Sequence, residues 1–133
     1  MLSREKKSNN LIQFVITVIA AGVIFPLLYL RQNFEVSILD SFKIELSQLS
    51  YCYSLLGIIF AITYLPSGWL ADRFSCRKLI ILSLSLTALI GAWFSFIPNY
   101  TSLIIIFCGW GLTTGLTFWS AHLKIVAILA GRE

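Results

Sequence analysis

The chain alternates between short charged segments and long segments without a charged side chain. The uncharged segments are Ser8–Leu30, Leu46–Ala71 and, with His122 taken as neutral, Leu79–Leu123. A bilayer core of about 30 Å is crossed by roughly 20 helical residues. The first two segments therefore each predict one transmembrane helix. The forty-five residues of the third are too many for one crossing, because they would form a helix of roughly 68 Å.

The third segment contains its own break. Pro98 lacks an amide hydrogen and Asn99 favours turns, so these residues predict a connection between two helices. Hydrocarbon offers no water to satisfy free backbone groups, and the segments are too long and too uniform for alternating barrel strands. The pattern predicts an all-α integral membrane domain over 11–122. Its four helices span about 11–30, 48–71, 79–97 and 102–121, and its tails are 1–10 and 123–133.

Composition supports this prediction and excludes other classes. Hydrophobic residues make up 58% of the 133 and charged residues 12%, about half the ~25% of soluble domains. Three cysteines are an odd number and do not indicate a disulfide scaffold. The net charge of +4 comes without a basic stripe interleaved with aromatic residues, so no nucleic-acid partner is expected. The lipid bilayer is the expected partner.

The distribution of lysine and arginine predicts the orientation. Basic residues remain preferentially in the cytoplasm. Eight lie on the side of the two termini and two on the other side, so both termini are predicted to be cytoplasmic, in a bacterial inner membrane. The eight are Arg4, Lys6, Lys7, Arg73, Arg77, Lys78, Lys124 and Arg132, and the two are Arg31 and Lys43.

Small residues in the fourth predicted helix indicate close helix contacts. Gly109, Gly111 and Gly115 lie within one apolar run, and the last two form a small-xxx-small pair. Helix packing is the favoured interpretation. A gating or substrate-cavity role is the alternative.

The segment Leu65–Ile80 carries a recognisable pattern. It reads Leu-Pro-Ser-Gly-Trp-Leu-Ala-Asp-Arg-Phe-Ser-Cys-Arg-Lys-Leu-Ile. Asp72 ends the second predicted helix, where the helix dipole disfavours a carboxylate unless a cation neutralises it. Arg73, Arg77 and Lys78 are the cations expected to do so. A plain positive-inside anchor with one compensating acid is the alternative interpretation.

The same segment resembles the loop motif G-x-L-A-D-R-x-G-R-R/K-R/K of the major facilitator superfamily. Ser75 stands where that family usually has glycine, and Cys76 where it usually has a basic residue. The resemblance implies the first four helices of a twelve-helix fold. It also implies that Gly68, Asp72, Arg73, Arg77 and Lys78 form a latch that holds in one conformation of the access cycle and breaks in the other.

A second segment, Tyr29–Phe34, resembles the first helix of the organophosphate/inorganic phosphate antiporter branch, where Tyr-Leu-x-Arg-x-Asn-Phe recurs. The resemblance implies that Arg31 projects into a central cavity and binds an anion through its planar fork. Helix one would then continue to about residue 38, with Glu35 one turn after Arg31 as its partner. Alternatively, helix one ends at Leu30 and Arg31 reaches the outer headgroups.

The sequence carries no nucleophile–base pair, metal-ligand spacing or phosphate loop, so an enzyme, a metal site or a cofactor is not expected. We expect part of a secondary active transporter that moves a small organic anion by alternating access. Four crossings are too few for a complete family member, so we also expect a truncated chain that lacks the remainder of a transporter. The alternative is a non-transporting remnant, or a small multi-pass protein that packs with another membrane subunit.

Overall fold

The computed structural model describes residues 2–129 and 131, with side chains for 12–25, 29–129 and 131. The described residues are almost entirely helical. Arg132 and the side chains of Arg4, Lys6 and Lys7, which the orientation argument used, lie outside this part. The elements are α1 (Leu2–Leu28), α2 (Leu30–Phe42), α3 (Leu46–Arg73), α4 (Cys76–Ser95), α5 (Tyr100–Leu112), a π-helical segment (Thr113–Phe118) and α6 (Trp119–Leu129).

Within the described residues, these elements form four segments that are long enough and apolar enough to cross a membrane. The sequence predicts the same number. We call them crossings one to four; they are Ile12–Phe42, Leu46–Arg73, Cys76–Ser95 and Tyr100–Leu129. The predicted break lies between the third and fourth. The Asn99 side chain there accepts a hydrogen bond of 3.0 Å from the backbone N–H of Ser102 and caps α5.

The helices extend beyond several predicted bounds. α1 already begins at Leu2, within the predicted tail 1–10, and α6 continues to Leu129, within the predicted tail 123–133. Charge sets where a segment enters water, but it does not end a helix, and Lys, Glu and Leu are all good helix formers. The helical path of crossing one passes Leu30 and reaches Phe42.

Crossing one is bent at two places. Tyr29 has φ −107° and ψ 16°, between α1 and α2, and Phe34 has φ −129° and ψ 20° within α2. α2 ends at Lys43, which has a left-handed φ of 50° and donates its N–H to the Leu39 carbonyl. The bend at Tyr29 sets the direction in which Arg31 leaves the helix.

Crossing four is the central helix of the bundle. In its most apolar stretch of 18 residues, 50% of the residues are buried, whereas this share is 20% or less in each of the other crossings. It contributes to both apolar clusters of the core. One cluster contains Ala20, Ile24, Ala71, Leu79, Ile80, Phe118 and Ala121, and the other contains Ile38, Leu49, Cys52, Leu103, Ile106, Phe107 and Trp110.

Two glycines allow crossing four to approach α3 closely. A Cβ at Gly111 would lie 2.8 Å from the backbone oxygen of Leu56. A Cβ at Gly115 would overlap Thr63 Oγ1 and lie 3.1 Å from Phe60 Cα. Gly109 differs, because its added Cβ would meet only the movable end of a side chain, Ile90 Cδ1, at 2.9 Å. At Gly111 and Gly115 crossing four thus approaches α3 too closely for a side chain to fit without a shift.

Hydroxyl groups also join crossing four to its neighbours. Ser83 Oγ donates to the Thr113 carbonyl at 2.9 Å, and the hydroxyls of Thr87 and Thr113 are 3.1 Å apart. The hydroxyls of Ser67 and Ser120 are 2.5 Å apart. Interhelical hydrogen bonds of this kind contribute on the order of 0.6 kcal/mol each in membranes. Together with the glycines, they fix the position of crossing four.

Candidate functional site

A cavity of about 510 Å³ lies between crossings one, two and four. Its polar lining comes from Tyr29, Arg31, Gln32, Tyr53 and Thr114. The remaining lining is apolar or aromatic and consists of Ile24, Phe25, Leu56, Gly57, Phe60, Phe118 and Trp119. The volume is in the range of small-molecule sites, which are largely apolar with a few polar groups.

Arg31 is held at this cavity by two neighbours. Its Nε donates to Glu35 Oε2 at 2.5 Å, one turn further along α2. Its backbone N–H donates to Tyr53 Oη at 3.0 Å, and its guanidinium carbon lies 5.9 Å from the centre of the Tyr53 ring. Arg31 and Glu35 are each a little over one-third exposed. The Arg31 side chain therefore faces the cavity with Glu35 as its partner.

Glu35 uses one of the five N–H donors of the guanidinium. No further acceptor for the Arg31 side chain lies among the described residues. The fork that binds carboxylate or phosphate in two parallel hydrogen bonds is thus open to the cavity.

Tyr53 orients Arg31 from the second crossing. Its ring packs edge-on against Phe107 of α5, with ring centres 4.8 Å apart. The sequence analysis did not include Tyr53 in the site. The spacing of three residues could have indicated it. Tyr53, Gly57 and Phe60 follow the i, i+4, i+7 spacing of one helix face, and all three line the cavity.

The loop motif is arranged differently from the sequence prediction. Asp72 Oδ1 accepts a hydrogen bond of 2.8 Å from Lys124 Nζ of α6, which also donates to the Ala71 carbonyl at 3.1 Å. The ion-pair partner of Asp72 in the described structure is thus Lys124, whereas the sequence predicts Arg73, Arg77 and Lys78. Lys124 places positive charge at the C-terminal end of α3, as the helix dipole favours.

The predicted cations have other surroundings. The Arg73 guanidinium lies over the Trp69 ring, 4.6 Å from its centre. Arg77 lines a second cavity on another side of the bundle. A local motif cannot reveal Lys124, which is 52 residues from Asp72 along the chain and meets it only because crossings two and four pack together.

The backbone of the loop explains how it accepts a serine where the resembling motif has glycine. Ser75 has φ −66° and ψ 126°, an extended conformation open to any residue. Gly68 lies on an exposed face, and a Cβ there would meet nothing within 4 Å. Neither position requires a glycine for contacts within the described chain.

The four apolar crossings of the described residues define a multi-pass membrane protein. Among the described residues, no group of His, Cys, Asp or Glu is arranged to hold a metal ion. The chain belongs to the Major Facilitator Superfamily, whose sequence pattern matches residues 10–133.

Individual relatives agree with this membership. The chain is 31% identical to the inner membrane protein YqcE of Escherichia coli K12 over 110 residues, which cover 83% of the chain and 26% of YqcE. It is 23% identical to the inner membrane protein YihN of the same organism, over 90% of the chain and 28% of YihN. It is 33% identical to an uncharacterized MG294 homolog of Mycoplasma pneumoniae, over 60% of the chain and 19% of that protein.

The chain spans about a quarter of the length of these relatives. No solved structure matches it.

Proposed function

We propose that this chain forms part of a secondary transporter for a small organic anion, and that Arg31 binds the anion. The observation that carries the proposal is the open guanidinium fork of Arg31 at a cavity of about 510 Å³. The resemblance of Tyr29–Phe34 to the organophosphate/inorganic phosphate antiporter branch points to the same ligand class.

Glu35 gives this site a means of release. While no ligand is bound, its carboxylate balances the charge of Arg31. An anion that engages the fork in two hydrogen bonds competes with Glu35 for the same cation. Binding and release then exchange one anionic partner for another, and neither state leaves the guanidinium unpaired.

In this proposal the loop motif holds one conformation of the transport cycle through an ion pair that can break. Asp72 is about three-quarters exposed although it is paired with Lys124. An exposed ion pair contributes only ~0–1 kcal/mol, so it can be broken and reformed during a cycle. In this proposal Gly68, Arg73, Arg77 and Lys78 of the same motif also take part in the latch. Both termini face the cytoplasm in this proposal, and the named inner membrane relatives suggest a bacterial inner membrane.

Ligand binding to the purified chain in detergent tests the role of Arg31. The probes are glycerol 3-phosphate and glycerol, which differ by the phosphate group, and the signal is the fluorescence of Trp119 at the cavity. We expect binding of the phosphorylated probe alone. Arg31→Gln should weaken binding about tenfold or more, because hydrogen bonds to charged groups contribute about 1.5–3 kcal/mol.

Two variants act as controls for that experiment. Arg31→Lys keeps the charge but lacks the fork, and we expect it to bind more weakly than the original chain. Lys43→Gln removes an exposed cation that neither lines the cavity nor belongs to the latch, and we expect no change. Equal binding of both probes, or full binding by Arg31→Gln, would refute the anion site.

The second candidate is a non-transporting membrane protein that packs with another membrane subunit. The matching segment makes up only 26% of YqcE and 28% of YihN, and in those proteins it is joined to further chain. The two candidate functions can be distinguished by measuring uptake of glycerol 3-phosphate into liposomes that contain only this chain. Uptake by the chain alone would eliminate the second candidate.

A further inference from the structure

A second cavity, of about 590 Å³, lies between crossings one, three and four. It is formed by α1, the beginning of α4 and the end of α6. Its walls are mainly aliphatic, with Ile80 and Leu84 from α4 and Ile125 and Leu129 from α6. It shares no lining residue with the Arg31 cavity. It is therefore a separate feature of the bundle.

Among the described lining residues the charge of this cavity comes from Arg77 at one end, and Gln13 and Thr17 of α1 are the other polar residues. Arg77 lies in the first turn of α4, whereas Leu84 lies seven residues later, about 10 Å deeper along the helix. On the α1 side the Thr17 hydroxyl donates to the Gln13 carbonyl at 2.7 Å and is satisfied within its own helix. The cavity thus combines a cationic mouth with an aliphatic interior.

The charge of Arg77 is not balanced within the described part of the chain. Both ion pairs there involve other residues, Arg31 with Glu35 and Lys124 with Asp72. Asp72, the acid nearest to Arg77 in the loop, is thus engaged elsewhere. The Arg77 side chain is exposed at the mouth and can present its fork to an incoming group. A phosphate diester is a suitable acceptor, because arginine binds phosphate in two parallel hydrogen bonds.

We propose that this cavity binds an anionic phospholipid, with the phosphate on Arg77 and an acyl chain between α1, α4 and α6. Basic pockets between transmembrane helices provide the chemistry that recognises lipid headgroups. A purely apolar helix from another protein would leave the Arg77 charge unbalanced at the edge of the hydrocarbon, which is unfavourable. Charge complementarity therefore selects the lipid over an apolar helix. This inference does not depend on the transport proposal.

Native mass spectrometry of the full chain in detergent tests the site, with dioleoyl phosphatidylglycerol and dioleoyl phosphatidylcholine as probes. Both lipids carry the same acyl chains and differ in net charge. We expect one phosphatidylglycerol to bind with about fivefold higher affinity, corresponding to the ~1 kcal/mol that a basic residue contributes near an anionic lipid. Equal affinities for the two lipids would overturn the proposal without any variant.

Two variants locate the site. Arg77→Gln should lose the preference for phosphatidylglycerol, and Arg77→Lys, which keeps the charge but lacks the fork, should keep only part of it. Arg73→Gln is the matched control, because Arg73 lies in the same loop but packs on Trp69 and does not line the cavity. Loss of the preference in Arg73→Gln and not in Arg77→Gln would contradict the proposal.

Two further measurements identify the occupant. Filling the interior with Leu84→Trp should weaken binding of both lipids, and unchanged binding would place the acyl chain elsewhere and overturn the assignment.

Inorganic phosphate at millimolar concentration should displace little phosphatidylglycerol, because it gains nothing from the aliphatic walls. Complete displacement would show an ion site and refute the lipid. A dimer seen in place of lipid binding would assign the cavity to a second copy.

Discussion

Single residues differ in how far the sequence could predict their surroundings. The contact between Arg31 and Glu35 was predictable, because residues four apart share a helix face. The partnership of Asp72 and Lys124 was not, since it depends on which face of crossing four meets α3. The role of Tyr53 was not predictable either, because tyrosine is also common at membrane boundaries. Its contact with Arg31 depends on the bend at Tyr29.

The ion pair at the loop leads to a prediction about two substitutions. Lys124→Gln should destabilise the chain more than Asp72→Asn, because Lys124 contacts both Asp72 and the carbonyl at the end of α3. Asp72→Asn should lower stability by less than about 1 kcal/mol, since the pair is largely exposed. Thermal unfolding in detergent measures both. A larger effect of Asp72→Asn would show that other cations stabilise this carboxylate more than Lys124 does.

At the level of elements, the number of crossings was predictable and their shapes were not. Hydrocarbon thickness fixes the length of an uncharged helix, and Pro98 with Asn99 marks the one break inside a long run. The bend at Tyr29 comes three residues after Pro26, a residue type that commonly kinks helices, but the local sequence does not set the direction of the bend. The π-helical segment is likewise invisible, because Thr113–Phe118 reads as an ordinary apolar helix.

The glycines of crossing four provide a test of helix packing. Gly115→Ala should destabilise the bundle by roughly 1–3 kcal/mol, because the added methyl group meets Thr63 and the backbone of Phe60. Gly68→Ala is the matched control, since a Cβ there meets nothing within 4 Å and alanine favours the helix. Unfolding in mixed micelles gives both values. Equal changes in the two variants would contradict the close approach of crossings two and four.

For the whole molecule, family membership and the four crossings indicate a membrane protein of the transporter type. The substrate and the direction of transport depend on sites that several helices form together. The open cavity at Arg31 and the basic loop lie on different parts of the bundle. The proposed anion site and the proposed latch are therefore separate features of the bundle. A sequence pattern can suggest both sites, but it cannot show the packing that connects them.

The proposed orientation can be tested on the intact chain in cells. We expect alkaline phosphatase fused after residues 44 or 99 to be active outside the cytoplasm, because these connections carry few basic residues. Green fluorescent protein fused after residues 75 or 133 should fluoresce, which requires the cytoplasm. An active phosphatase fused after residue 75 would reverse the topology.

The π-helical segment Thr113–Phe118 has a consequence for changes in chain length. Such a segment accommodates one extra residue in an α-helix while the flanking turns keep their directions. Removing Leu116 should therefore convert the segment into regular helix and leave Lys124 facing Asp72. Removing Ile105 from α5 should rotate one flank by about 100° relative to the other. Cross-linking by a short bismaleimide between cysteines introduced by Asp72→Cys and Lys124→Cys, with the native cysteines changed to serine, should persist in the first deletion and disappear in the second. Crossing four would then tolerate the insertion or deletion of a residue only in its π-helical segment. Related sequences in which this crossing differs in length would differ at that segment.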